Sequence, residues 1–445
     1  MRSVNTYIVP ELSEQAIIDS VKNAQETIAK NEDAEKAVSL DFYYHKNVDK
    51  HIEQWFSPQT LDQVPSFPQK IVPRFCRSRQ MIFKKPPKRF IGGDISPEYS
   101  DLTYQLDIKA REASELTWLI RDIAVRSRWN EHRQRIEYDV LPFFKTYHLE
   151  GEGDSSPVGI SYEIGRDKKG NRRWAFWSET RDGQQGMHYL YDQSGRIIKV
   201  NDDNRNIYDV LPFTLSHYNQ GGDDVVRASI QIGVAMTEIA LAERFSFGQP
   251  TITGSLDTTK VELGIDKVLQ LPDDSTFSFI GNPGSLTDMI AAARSFADTV
   301  AINNSLRIRW SDSGGNPPSG EALKILELEN IETRESEIPI WRQWESDRYD
   351  VDRRLIEVHT GKKLSEDYAV DFAEVGFPKS SKEKMDEWTW KFQNKLATRE
   401  DYFKSENPDI TDKELKERLG EIDESRQAEA EAEKPTSTIE RILSA

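Results

Sequence analysis

The stretch from Asp223 to Gly320 constrains this chain most. It alternates two long apolar helices with short β-forming pieces and ends in a run rich in Gly and Pro. Asp223 and Asp224 cap a helix that continues through Val225, Ile230, Ile232, Val234, Met236, Ile239 and Leu241 to about Phe247, and Pro250 ends it. β-forming pieces follow at 251–253, 260–263, 267–271 and 277–280. Ser285, with Asp288 three residues on, opens a second helix that carries Met289, Ile290, Ala293, Phe296, Ala297 and Val300 on one face. After Arg307, Arg309 and Trp310, the run Ser311-Asp312-Ser313-Gly314-Gly315-Asn316-Pro317-Pro318-Ser319-Gly320 is a loop on its Gly and Pro content. The pattern predicts two helical struts, a β tip between them, and a mobile loop at the struts' far end.

On the N-terminal side, residues 11–37 and 40–56 have helical spacing. The stretch Gln69–Phe90 contains no acid and is the strongest basic cluster, with Arg74, Arg77, Arg79, Lys84, Lys85, Lys88 and Arg89. It suits contact with nucleic acid or with an acidic partner; the competing reading is a β-rich segment with a solvated basic face. Helical spacing returns over 99–128, and Val140–Tyr147 is expected to be a strand. From Val158 the period switches to two. Strands are expected at Gly159–Ile164, Arg172–Trp177, Met187–Tyr191, Arg196–Val200 and Ile207–Leu215, as an antiparallel meander with a turn at Asp167–Asn171. Trp174, Phe176 and Trp177 are either a stacking platform for bases or, as aromatics in strands usually are, core. On the C-terminal side a long helix is expected from near Glu321 to a C-cap at Gly361, kinked at Pro339, with a strand at Tyr368–Val375. Ser380/Glu383, Thr398/Asp401 and Thr411/Glu414 have capping-box spacing, and the acidic stretch Gln427–Lys434 is expected to fray.

The composition narrows the chemistry. The formal net charge is −17, which disfavours tight DNA binding by phosphate neutralisation and allows DNA to pass without sticking. The single cysteine, Cys76, excludes an internal disulfide framework and fits a reducing cytoplasm. Met1–Tyr7 lacks the apolar core of a signal peptide, and with Gln231 and Glu238 interrupting the most apolar helix, no membrane span is expected. No P-loop, His-Glu-x-x-His or Gly-x-Ser-x-Gly pattern occurs, and the seven histidines do not cluster. The carboxylate pair Asp273-Asp274 sits in a turn context, and Cys76, though flanked by cations, has no partner base. No catalytic residue, metal or cofactor is therefore expected.

The order of parts resembles the portal proteins of tailed bacteriophages. The resemblance rests on Ile207-Tyr208-Asp209-Val210-Leu211-Pro212-Phe213 leading through Asn219 and Asp223-Asp224 into the long helix. It also rests on Ser319-Gly320-Glu321-Ala322-Leu323-Lys324 feeding the second long helix, and on the capped C-terminal helices with Ala397-Thr398-Arg399-Glu400-Asp401-Tyr402. It implies an α+β, portal-type fold. Residues 1–222 and 321–378 would form the wing, and helices 223–247 and 285–303 the stem. Residues 248–284 would be the clip, 304–320 the tunnel loop, and 379–445 the crown with a disordered acidic end. By resemblance the chain is a homo-oligomer, a ring of about twelve copies, at one vertex of the capsid in the virion, assembled in the host cytoplasm. Double-stranded DNA would pass through it in packaging and ejection.

Further implications concern partners and sites. The terminase motor and the head–tail adaptor would dock at the clip, where Lys260, Lys267, Asp273 and Asp274 are the candidate contacts; major capsid and scaffold proteins are further partners. The tunnel-loop candidates for facing DNA are Arg307, Arg309, Trp310, Ser311, Asp312, Ser313 and Asn316. Small residues on the first stem helix, Ala228, Gly233, Ala235 and Ala240, are candidates for close packing between subunits. The alternative is a scaffold or adaptor of a cytoplasmic assembly that forms no ring.

Overall fold

The computed structural model describes residues 6–9, 13, 28–62, 64–150, 157–181, 183–192, 196–198, 204–244, 249–253, 276–280, 286–306, 325, 327–374, 381–407 and 410–432. The chain divides into two compact units, 1–314 with 326–375, and 315–325 with 376–445.

In the first unit the elements run β1 (Thr6–Val9), α1 (Ile28–Tyr44), α2 (Val48–Glu53), α3 (Pro58–Leu61), α4 (Ile71–Arg79), β2 (Lys88–Ile91), β3 (Asp94–Ile95), α5 (Pro97–Leu102) and α6 (Leu106–Ile120). Then come β4 (Asp122–Asn130), β5 (Arg135–Leu141), β6 (Phe144–Leu149), β7 (Gly159–Arg166), β8 (Arg172–Ser178), β9 (His188–Asp192), β10 (Ile197–Ile198) and β11 (Phe213–His217). The unit closes with α7 (Asp223–Arg244), β12 (Gln249–Thr253), β13 (Thr276–Ile280), α8 (Leu286–Asn303), α9 (Leu328–Thr360) and β14 (Tyr368–Asp371). The fold is α+β, as expected.

Among the described residues the strands make four sheets, ordered β1-β6-β7-β8-β9-β10, β11-β4-β5, β14-β2-β3 and β12-β13. All pairs are antiparallel except β1 with β6. The core lies where α6, the β11-β4-β5 sheet and α9 meet. Leu106, Ala110, Ala113 and Leu116 line the buried stripe of α6, and Trp341, Trp344, Tyr349, Leu355 and Ile356 that of α9.

Several expectations are corrected here. The helix expected over 99–128 stops at Ile120. Arg121 turns the chain with φ +73, and Ile123–Trp129 enters β4, the central strand that pairs with β5 on one edge and β11 on the other. The expected strand Ile207–Leu215 begins only at Phe213 and joins β4, not the meander. Val140–Tyr147 straddles two strands, β5 and β6. The basic stretch 69–90 begins as helix α4 and ends in β2. α9 runs through Pro339 as a single helix and ends at Gly361, whose φ of +72 is the expected C-cap.

α7 is long and apolar enough to cross a bilayer by length and composition alone. A soluble core helix meets the same test, and α7 packs on α1, α2 and α4, with Thr237 Oγ1 accepting from Phe67 N at 3.1 Å.

The second unit contains α10 (Ser381–Gln393), α11 (Arg399–Glu406) and α12 (Asp412–Ala432). Trp388, Phe392 and Tyr402 stack edge-on and tilted between α10 and α11. The Thr398/Asp401 box forms both of its bonds, and so does Thr411/Glu414. Gln427–Ala432, expected to fray, is helix. Ser380, Ser285 and the stretches 11–12, 14–27, 260–263 and 267–271 lie outside the described residues.

Candidate functional site

α7 and α8 are antiparallel neighbours. Asn304, just after α8, donates to the Asp224 carboxylate at the start of α7 at 2.9 Å, while β12 and β13 pair between their other ends. Between them runs an apolar groove of about 320 Å³, lined by Gln231, Ile232, Ala235 and Ile239 of α7 and Met289, Ala292, Ala293 and Phe296 of α8. The α8 face beside it stays open: Ile290 is 40% exposed and Phe296 39%. Only towards its C-terminal end does α8 bury its stripe, through Ala297, Val300 and Ala301.

The small residues of α7 divide between two tasks. Ala228 is buried in the core, and a Cβ at Gly233 would run into Ile52 Cδ1 of α2. These two serve packing within one chain, a correction to the expectation that they face a neighbouring copy. The reason is that the first half of α7 is itself core. Ala235 lies on the groove, and Ala240 is half-buried.

The basic stretch also splits. Arg74, Arg77, Lys84, Lys85 and Lys88 are exposed. Arg79 and Arg89 turn inward and leave the surface patch. Arg79 Nη2 lies 3.1 Å from Glu337. Arg89 donates to Glu345 through Nε at 3.1 Å and Nη2 at 2.8 Å, and to Asp107 through Nη1 at 2.7 Å. Burial alone would raise the Glu345 carboxyl, but the Arg89 and Arg348 guanidiniums outweigh it and hold it at about 2. Burial pushes Glu337 up, with Arg79 only partly opposing. The Cys76 thiol, although flanked by cations in sequence, is pushed up by complete burial and by Glu115.

The tunnel-loop candidates Arg307, Arg309, Trp310, Ser311, Asp312, Ser313 and Asn316, and the clip candidates Lys260, Lys267, Asp273 and Asp274, lie outside the described residues. Phe176 and Trp177 are buried, and Trp174 stacks on Tyr191 at 5.9 Å, so the aromatics of β8 belong to the core and its margin. His188 lies against the Trp177 ring; burial and nearby Arg126 lower it to about 4. Among the described residues no group of three or more His, Cys, Asp or Glu side chains is placed to hold a metal ion.

One cationic element escapes a reading of the sequence, the β7–β8 hairpin tip Arg166–Arg173. Its turn signals draw the eye first, although five of its eight residues are Arg or Lys.

The chain matches no protein-family model and no curated protein.

Proposed function

We propose that the chain is the subunit of a phage portal: a ring at one capsid vertex through which double-stranded DNA is packaged and ejected. The observation that carries the reading is the antiparallel pair α7–α8, joined to the core at one end and carrying the β12–β13 hairpin at the other. At 1.5 Å per residue α7 is about 33 Å long, a fair height for a channel wall. Its partner α8 presents an apolar face and groove that a lone monomer leaves wet. A ring removes that cost, because a heterologous contact that closes covers each copy's face with its neighbour's. The acidic net charge suits passage of DNA, since each tight phosphate contact would add a salt-dependent brake. In this reading 248–284 meets the terminase motor and then the head–tail adaptor, 304–320 is the tunnel loop that faces DNA, and 379–445 is the crown. Capsid and scaffold proteins surround the wing. The ring itself performs no catalysis; ATP hydrolysis belongs to the motor.

Native mass measurement and single-particle imaging of the purified chain at two ionic strengths test this. A closed ring of about twelve copies with an open channel is expected. Ile290→Asp with Phe296→Asp, both on the exposed α8 face, should leave circular dichroism unchanged and abolish the ring. A monomer at both salt levels, persisting when capsid or scaffold protein is added, overturns the reading in favour of a non-ring adaptor.

A further inference from the structure

The β7–β8 hairpin ends in an arrangement that works against its own stability. Arg166 stands directly opposite Arg172 on the last rung of the ladder, and like charges at that position repel. Lys168 and Lys169 occupy the turn, and Arg173 follows Arg172 into β8. The turn's one carboxylate is committed to the backbone. Asp167 Oδ1 accepts from Lys169 N at 2.8 Å and Asn171 N at 2.9 Å, and Oδ2 accepts from Asn171 Nδ2 at 3.2 Å. Two backbone bonds between Asp167 and residues 170 and 171, each 2.9 Å, fix the loop around Gly170 at φ +84. The acids around the base of the tip are Glu163, 3.8 Å from Arg172, Asp167, 3.9 Å from Arg173, Asp33, whose carboxylate interacts with Arg172, and Asp192, opposite Arg173 on β9. Arg166, Lys168 and Lys169 are exposed and have no ion-pair partner among the described residues. The tip is therefore preformed and carries cations at its apex, on a chain whose net charge is −17.

We propose that the hairpin tip Arg166–Arg173 docks on the phosphate backbone of duplex nucleic acid. Phosphates seated over the tip relieve the repulsion between Arg166 and Arg172, and the preformed turn means that little ordering entropy is lost on docking. The composition selects the partner class. From Arg166 to Arg173 there is no apolar side chain. A protein partner needs a dry, aromatic or aliphatic centre in its interface, whereas nucleic-acid interfaces are polar and strongly cationic. Single strands are held by stacking on open aromatic rings. The rings below this tip, Trp174 and Tyr191, are already stacked on each other at 12°, which leaves the backbone of a duplex as the match. The proposal stands whether or not the chain closes into a ring.

The test is fluorescence anisotropy of the full chain with a duplex of arbitrary sequence, between about 50 and 200 mM salt. Binding should weaken with salt. The triple variant Arg166→Gln, Lys168→Gln, Lys169→Gln should reduce the slope of log K against log salt by about 0.9 for each phosphate left without its cation, up to about 3 per copy. A control triple, Arg74→Gln, Arg77→Gln, Lys84→Gln, removes equal charge from the other basic surface and should leave the slope nearer the parent's. The proposal is overturned if the parent ignores the duplex, if the control weakens binding as much as the tip variant, or if the tip variant is impaired only towards polyglutamate. Native mass of the same samples separates the two readings: a ring that ignores duplex sinks this proposal alone, and a monomer whose duplex binding needs the tip sinks only the ring.

Discussion

The two halves of α9 meet the same problem, burying charge, in opposite ways. In the C-terminal half Glu345, Arg348 and Asp352 are completely buried and joined by Arg89, so two cations face two buried carboxylates, with the half-exposed Asp107 as a third. Asp352 accepts from Ser127 at 2.7 Å, Tyr138 at 2.6 Å and Tyr99 at 2.9 Å; Glu345 accepts from Arg348 at 2.6 Å and Tyr368 at 2.9 Å. Arg348 also donates to Asp352 and Tyr99, and of the four charged side chains only Arg348 Nε lacks a partner. In the N-terminal half Asn330, Arg334 and Glu337 are also buried, but the seam they form with the end of α4 is under-bonded. Asn330 donates to Ser78 O at 3.0 Å and Arg334 to Ala373 O at 2.8 Å, while Asn330 Oδ1, Arg334 Nε and Arg79 Nη1 find no partner among the described residues. Buried charge is cheap only where it is balanced and every lone pair is used. The C-terminal half clamps α9 to β2, β4, β5, β14 and α5; the N-terminal half is held by the Arg79–Glu337 pair and the Asn330 and Arg334 bonds.

The largest break in this comparison is Glu345→Gln. It leaves Arg89 with only the half-exposed Asp107 and Arg348 with Asp352 alone in a dry site, and should cost about 3–5 kcal/mol. Glu337→Gln keeps the shape of the seam, removes a carboxylate that burial already disfavours, and should cost about 1 kcal/mol or less. Urea unfolding followed by circular dichroism measures both, and equal costs would erase the distinction between the halves.

Acid should move the halves in opposite directions. Glu345 is held at about 2 against an unfolded value of 4.5, so between these pH values the unfolded chain binds a proton that the folded chain does not. Its contribution, roughly 3 kcal/mol, is complete above pH 4.5 and is lost as pH falls toward 2. Glu337 is raised, so the folded chain takes up its proton first. Its contribution is complete below pH 4.5 and is lost as pH rises through its folded value. The parent minus Glu337→Gln difference in unfolding free energy should therefore grow in the parent's favour as pH falls to 4.5. The corresponding difference for Glu345→Gln should shrink below that pH. A common sign would mean that the two carboxyls share one environment.

What the sequence allowed to be read follows the same division between local and distant causes. Helices α7, α8 and α9, the Asp167 turn, the Gly361 cap and the Thr398 and Thr411 boxes were legible, because each is set by residues within a turn or two. The end of α6 was not. Asp122–Asn130 carries a period of two that helical spacing masked, and only pairing with β5 and β11 decides it. Arg79 and Arg89 looked like surface cations because their partners lie far along the chain; Arg89 and Glu345 are 256 positions apart. Ala228 and Gly233 looked free for a neighbour because nothing local shows that Ile52 and the core reach them first. Of the candidate site, the apolar stripes lining the groove were legible. The hairpin tip was read only as a turn, and its cross-strand repulsion needs the register of β7 on β8.

The smallest effect comes from the end of α9, where cause is entirely local. Gly361 closes the helix at φ +72, its N–H donating to Glu357 O at 2.9 Å, and nothing lies within 4 Å of the position a Cβ would take. Gly361→Ala meets no neighbour and costs only the left-handed conformation, about 1–2 kcal/mol. Gly361→Asn should cost less, since its short polar side chain tolerates that region. Glu357 pairs with Lys363 across this turn at 3.3 Å, so either loss should change only slightly between pH 6 and pH 3. A loss beyond about 3 kcal/mol, or one that follows the acid profile of Glu345→Gln, would mean that the helix end and the buried cluster move together. The clamp would then extend to Gly361, and the contrast would lie between one long rigid segment and the seam at Asn330–Glu337 alone.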